Sequence, residues 1–236
     1  MAITEWLNRA AIFNRDVLYD ALEKRPKHRP LITVANHISC FDEPLLWGML
    51  RMRHYVNTEL MRWSASAAEI CFDKYRHRLL FSLGKSVPIV RGDGVYQRGV
   101  DFMLEKLNEG RWAHMFPEGK VNLTKEVMRL KWGVGRLISE CKVSPIVIPI
   151  WITGMDDVLP NKSPYIPKYF KKVTIYVGDP MDFEDVRLKM TSNDGPMEQR
   201  KLITDMIQCE FARMKPIAEK LHIEGGGVVP KPTEQT

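Results

Sequence analysis

The chain has little with which to build a disulfide framework or a metal site. It holds four cysteines, Cys40, Cys71, Cys141 and Cys209, in 236 residues. None stands in a CxxC pair, which points to a reducing setting and away from structural zinc. No two histidines have the helical spacing of metal ligands. No GxSxG is present, so the strand-to-helix elbow of many serine hydrolases is excluded. The stretch LLFSLGKS ends as a phosphate-binding loop does, but Leu79 occupies the place of its first glycine. Long hydrophobic runs are missing too. The longest, Pro145 to Thr153, covers less than half of the ~20 residues that a membrane-crossing helix needs. The N-terminus shows no continuous apolar core of a secretory signal. A membrane, if it is a partner, is met at its surface. No internal repeat stands out, and no basic–aromatic nucleic-acid motif accompanies the charge.

What is present suits a folded enzyme-sized unit. The composition is 44% hydrophobic and 27% charged, enough to bury one sizeable α/β core. Net charge is +6. Between Arg51 and Arg91 there are eight Arg/Lys against three Asp/Glu, so most of the excess sits in one block. A clustered basic region suggests an anionic partner, and an ordinary solvated face fits the charge alone equally well.

Apolar residues recur at helical spacing from Ile3 to Leu22, through Trp6, Leu7, Ala10, Val17, Leu18 and Ala21, and predict an amphipathic helix. Leu31 to Ala35 is short, apolar and β-branched, and reads as a buried strand. A polar stretch follows, then a helix from Glu43 to Met52 with Pro44 in its first turn. Further strands are expected at Ser86–Val90, Trp112–Phe116, Pro145–Ile152 and Val173–Val177. Helices are expected at Val95–Leu107, Trp132–Cys141 and Met197–Leu221, the last kinked or broken at Pro216. Strands alternating with helices predict an α/β layered fold.

Four stretches carry chemistry-bearing residues. In NHISCFDEP, His37 and Asp42 lie five positions apart. On one helix that spacing turns the side chains about 140° apart, so they meet only across a strand-to-helix turn. There an aspartate can fix one imidazole nitrogen and leave the other as a base. Asp42 as a helix cap and His37 as a loop residue is the plainer alternative for the pair alone. Cys40, between them, is read as packing. In FPEGK, Glu118 and Lys120 flank Gly119, where backbone can approach a ligand; a simple turn has the same composition. GKSVPIVRG delivers Arg91 to a strand end, where a guanidinium can grip a phosphate or pair on the surface. SPIVIPIW alone is a buried strand.

In order and spacing these four stretches resemble the motif blocks of the glycerolipid acyltransferases, whose first block is His-x4-Asp and whose third is Phe-Pro-Glu-Gly. The likeness continues through LMRWSASAAEICF, FSLGKSVPIVRGDGVYQRG, HMFPEGKVN, RLKWGVGRLI and GMDDVLPN, from about Asn14 to Leu221. These stretches are similar to the phospholipid–lysophospholipid transacylases of that family. General lysophosphatidate acyltransferases continue the third block with Thr-Arg-Ser. Here Lys120, Val121 and Asn122 follow, which implies a donor other than acyl-CoA.

The resemblance implies a mixed α/β sheet covered by helices and held on one face of a membrane. Residues 1–223 are expected to form one acyltransferase domain with the amphipathic helix at its start, and 224–236 a disordered tail. It implies His37 as general base and Asp42 as its partner, with backbone N–H groups near the first block as oxyanion donors. Arg91 and Lys120 are implied as phosphate ligands. Glu118, beside Gly119, either orients a glycerol hydroxyl or braces the loop. No metal or organic cofactor is implied. Phospholipids, lysophospholipids and cardiolipin are the implied substrates, in mitochondrial membranes facing the intermembrane space. Trp63, Phe72, Leu79, Leu80 and Phe81 are expected in the acyl boundary, with Arg76, Arg78 and Lys85 on anionic headgroups. A CoA-dependent lysophospholipid acyltransferase and a non-catalytic lipid-binding module stay open as alternatives.

Overall fold

A computed structural model describes residues 8–189 and 195–229. The chain runs β1 (Arg9–Phe13), α1 (Arg15–Glu23), β2 (Leu31–Ala35), α2 (Asp42–Leu46), α3 (Met52–Val56), β3 (Trp63–Ala67), α4 (Ala68–Cys71), α5 (Tyr75–Leu83) and β4 (Ser86–Ile89). It continues with α6 (Arg98–Asn108), β5 (Trp112–Met115), α7 (Gly133–Glu140), β6 (Ile146–Thr153), α8 (Met155–Val158), β7 (Lys172–Val177), β8 (Met181–Asp182), α9 (Glu184–Lys189) and α10 (Pro196–Glu224).

The strands form one mixed sheet in the order β1-β7-β6-β2-β5-β3-β4, with β8 beside β6. The set β6, β2, β5, β3 and β4 is parallel, while β7 and β8 run against β6. Parallel strands buried on both faces read as continuous apolar runs. β2 does so: all five of its residues are buried. Alternation then sorts its side chains. Leu31 and Ala35 join Leu18, Leu22, Trp47 and Ile150 under α1 and α2. Ile32 and Val34 join Met103, Leu137, Ile207 and Phe211 under α6, α7 and α10. The sheet is thus covered by helices on both faces, and no described helix is long and apolar enough to cross a membrane.

Two expectations are corrected. Of the helix predicted over Ile3–Leu22, residues 3–7 lie outside the described residues, and among the described ones the helix starts at Arg15. Arg9–Phe13 instead pairs in parallel with β7, from Arg9 opposite Lys172 to Phe13 opposite Tyr176. Asn14 ends that strand in left-handed backbone at φ 56 and donates from Nδ2 to the Val177 carbonyl at 3.1 Å. The apolar run suits either period, and the open edge of β7 decided it. At the other end, α10 continues through Pro216 without a break. Pro216 removes one backbone donor, but Met214 and Ala218 on either side are fully buried, and that packing holds the helix together. Of the expected disordered tail, residues 230–236 lie outside the described residues, and Glu224 is still helical.

Candidate active site

The parallel strands β2, β5, β3 and β6 all end on one edge of the sheet, and loops beyond such an edge are where open α/β sheets build sites. β2 delivers the first of them. Asn36 extends the pairing with β6 by its side chain, accepting from Ile152 N–H at 2.6 Å and donating to the Ile152 carbonyl at 2.9 Å. His37 is the first residue to leave the sheet. The chain then turns into α2, where Asp42 is fully buried.

Asp42 organises this turn from within. Its Oδ2 accepts from Ile38 N–H at 2.6 Å and Ser39 N–H at 2.8 Å, and lies 2.8 Å from His37 Nδ1. Burial pushes the Asp42 carboxyl up, while His37 and the two amides pull it back. The carboxylate thus closes the turn ahead of α2 and holds the imidazole, but it does not cap the helix, whose N-cap is Phe41 with no side-chain bond. His37 has 17% of its side chain exposed, and its ring stacks on Phe116 at 4.2 Å between centroids and 18°. With Nδ1 turned to Asp42, Nε2 is the ring nitrogen left over, and it is not among the buried unpartnered atoms.

The loop after β5 grips the same residue by its backbone. Glu118 Oε1 accepts from His37 N–H at 3.2 Å, and Asn122 N–H donates to the His37 carbonyl at 2.6 Å. Gly119 makes the tight turn, at φ +74, which a side chain tolerates poorly. Glu118 is 4% exposed and its Oε2 has no partner among the described residues. Burial raises its carboxyl to about 7, against the pull of His37. Glu118 also lines a cleft, open to solvent, between this loop, the end of β6 and α10. Ile38, Leu130, Trp151 and Phe211 supply its apolar wall, and Lys125 and Asp156, paired at 2.5 Å, its charged rim. The His37 ring does not line it.

Of the backbone N–H groups in the first block, those of residues 37–41 are already committed. The N–H groups of His37, Ile38, Ser39, Cys40 and Phe41 already donate to Glu118, Asp42, Asp42, Asn161 and Ser39 Oγ. Cys40 does not pack: it is exposed, and partial burial and the Asp42 charge raise its thiol, which disfavours the thiolate.

The other predicted residues fall in three places. Lys120 is exposed on the loop that carries Glu118. Arg91 follows β4 and pairs with Glu69 of α4 at 3.3 Å, half exposed. On α5, Arg76, Arg78, Leu79 and Leu80 are exposed, and Phe72 packs near Phe81 at 6.2 Å, both partly buried. Trp63 and Lys85 do not join them. They stand where β3 and β4 begin, on the sheet edge away from His37. The Trp63 ring meets Phe102 edge-on at 5.1 Å. Lys85 lies over the Trp63 ring at 5.1 Å and donates to the Thr58 carbonyl.

One functional-site neighbour escaped the sequence reading. Glu43, next to Asp42, accepts through Oε1 from Trp47 Nε1 at 3.0 Å, Arg62 Nη2 at 2.7 Å and Ser64 Oγ at 2.7 Å. Burial opposes its ionisation, but the Arg62 guanidinium, with the Ser64 hydroxyl, outweighs it and holds the carboxyl below the ordinary range. His114, fully buried, is pushed down to about 4 and stays neutral; its ring meets Phe116 edge-on at 4.7 Å. The cluster ties α2 to β3 and β5 directly beneath the His37–Phe116 stack. Two adjacent acids at a helix start were the only signal, since the partners lie up to 71 positions away.

Comparison with known proteins identifies the family. The family profile "Acyltransferase" matches residues 16–153. Tafazzin of Drosophila melanogaster is 49% identical over 93% of this chain, which spans 58% of that protein's length. Taffazin of Dictyostelium discoideum is 36% identical over 89% of this chain and 74% of its own. Among solved structures, the 1-acyl-sn-glycerophosphate acyltransferase of Thermotoga maritima superposes with a TM-score of 0.60, at 21% identity, over 90% of this chain and 75% of that one, a likeness of fold. By profile, by relatives and by the layered mixed sheet, the chain belongs to the acyltransferase family, in the group of the tafazzins.

Proposed function

We propose that the chain transfers acyl groups between phospholipids and lysophospholipids without CoA, and that cardiolipin is among its substrates. The carrying observation is the His37 Nδ1–Asp42 Oδ2 contact at 2.8 Å, which fixes the imidazole and leaves Nε2 as the base. In this reading the lysophospholipid hydroxyl gives its proton to Nε2 as its oxygen attacks the acyl ester carbon. Asp42 steadies the imidazolium through Nδ1. The tetrahedral intermediate collapses by expelling the donor's glycerol oxygen, which takes the proton back from Nε2. One ester forms, one breaks, and the base is restored. Donor and acceptor are both glycerophospholipids, so one headgroup subsite serves each in turn.

Glu118 keeps both roles considered for it. Oε1 braces the His37 backbone, and the residue lines the cleft, where its carboxyl is assigned to a glycerol hydroxyl. Arg91 and Lys120 are assigned to lipid phosphate. The exposed part of α5, with Arg76, Arg78, Leu79 and Leu80, is assigned to an anionic membrane surface. The names of the relatives support a mitochondrial membrane, and we place the site on the intermembrane-space side. Residues 1–223 are read as one catalytic unit.

The deciding experiment mixes labelled phosphatidylcholine with lysocardiolipin in lipid vesicles, with no CoA or thioester. Label is expected in cardiolipin, with lysophosphatidylcholine accumulating in step. Transfer only on addition of acyl-CoA would replace this reading with a CoA-dependent acyltransferase. Transfer under neither condition would favour lipid binding alone.

A further inference from the structure

The connection between β6 and β7 has a composition that the core does not explain. From Asn161 to Lys171 the chain reads NKSPYIPKYFK, with three lysines, three aromatics, one isoleucine and no acid. Its apolar side chains are turned outward: Tyr165 is 62% exposed, Ile166 64%, Tyr169 54% and Phe170 74%. Lys168 is exposed between them, and Lys162 and Lys171 are exposed on either side. Exposed large apolar groups that cluster mark a partner surface. Aromatics interleaved with lysines, without acids, match one partner in particular, the headgroup layer of an anionic membrane.

Topology places this segment at the reactive edge. β6 runs parallel to β2 and β7 antiparallel to β6, so the connection starts and finishes on the edge where His37 leaves the sheet. It is bonded to the His37 turn. Asn161 Nδ2 donates to the Ile38 carbonyl at 2.8 Å, and its Oδ1 accepts from Cys40 N–H at 3.2 Å. Ser39 Oγ donates to the Leu159 carbonyl at 3.1 Å. On the other side of β2 in the sheet order lies β3, whose end leads into α4 and α5 with exposed Ile70, Leu79 and Leu80.

We propose that residues 161–171 form a second membrane-contacting element, which sets Tyr165, Ile166, Tyr169 and Phe170 into the lipid–water interface of an anionic bilayer with Lys162, Lys168 and Lys171 on its headgroups. The His37 turn then lies between two membrane contacts, one after β6 and one after β3, and meets lipid at the level of the glycerol esters. The bonds through Asn161 make the loop that holds the membrane continuous with the turn that holds the base. The proposal rests on the acyl-transfer reading only in giving His37 a lipid to act on.

The test is sedimentation of the full chain with vesicles of phosphatidylcholine alone and of phosphatidylcholine with phosphatidylglycerol, read without turnover. Failure here and failure of the acyl-exchange assay are therefore distinguishable. The double variant Tyr169→Ser/Phe170→Ser is expected to partition about tenfold more weakly into the anionic vesicles. Lys162→Glu/Lys168→Glu is expected to remove most of the preference for anionic over zwitterionic vesicles. Both variants change exposed side chains, so the circular dichroism spectrum and melting temperature are expected to match wild type and exclude misfolding as the cause. Unchanged partitioning in both variants overturns the proposal. So does unchanged partitioning with an altered oligomeric state in sedimentation velocity, which would assign the surface to a second copy of the chain.

Discussion

Replacing Glu118 by glutamine should raise the stability of the protein at pH 8 and leave it nearly unchanged at pH 4.5. In the folded state the Glu118 carboxyl titrates at about 7, raised by burial from its ordinary 4.5. Between those values the folded protein holds a proton that the unfolded chain has released, so stability falls as pH rises through the interval. Each pH unit of displacement is worth about 1.4 kcal/mol, and the whole interval therefore about 3 kcal/mol. Glutamine does not ionise, yet its Oε1 can still accept the His37 N–H that Glu118 Oε1 accepts at 3.2 Å. Urea unfolding of the two proteins from pH 4.5 to 8 measures the difference. The variant is expected to gain steadily on wild type up to about pH 7 and then to hold a constant lead. A lead that is the same at every pH would show that Glu118 ionises normally and that its burial costs nothing.

Other outcomes follow from the same geometry. His37→Ala is expected to lower acyl exchange by at least about a hundredfold, with fold and vesicle binding largely intact; turnover near wild type would end the assignment of the base. Asp42→Asn should be as inactive and also less stable, because Oδ2 serves two amides as well as the imidazole; it is checked by the same assay and by thermal melting. Arg62→Ala leaves the Glu43 carboxylate without its main countercharge, and a loss of roughly 3 kcal/mol in urea unfolding is expected. Glu43→Gln in that background should recover part of it. Arg76→Glu/Arg78→Glu should weaken sedimentation with anionic vesicles, and the wild-type binding should itself weaken as salt is raised. Equal binding to neutral vesicles at all salt concentrations would exclude α5 as a contact.

Local pattern alone determined a good part of this protein. The buried strand at 31–35, the strands around 86, 112, 146 and 173, and the helices on 98–108, 133–140 and 196–224 were legible because short β-branched runs and 3.6-residue periods are properties of neighbouring residues. The pairing of His37 with Asp42 was legible because both belong to one turn, and Gly119 and Glu118 because a single tight loop carries them. Tertiary structure decided what depends on distant residues. Arg9–Phe13 became a strand only because β7 offered it an edge. Trp63 and Lys85 were drawn away from the exposed face by Phe102 and the Thr58 carbonyl. Glu43 acquired Arg62, Ser64 and His114 from two other strands and loops, and Asn161 reached back across 121 positions to Cys40. A carboxylate or an amide in a sequence does not reveal which donor a folded sheet will bring within 3 Å. Hydrogen bonding and burial act on spatial neighbours, and only the closed sheet makes those neighbours.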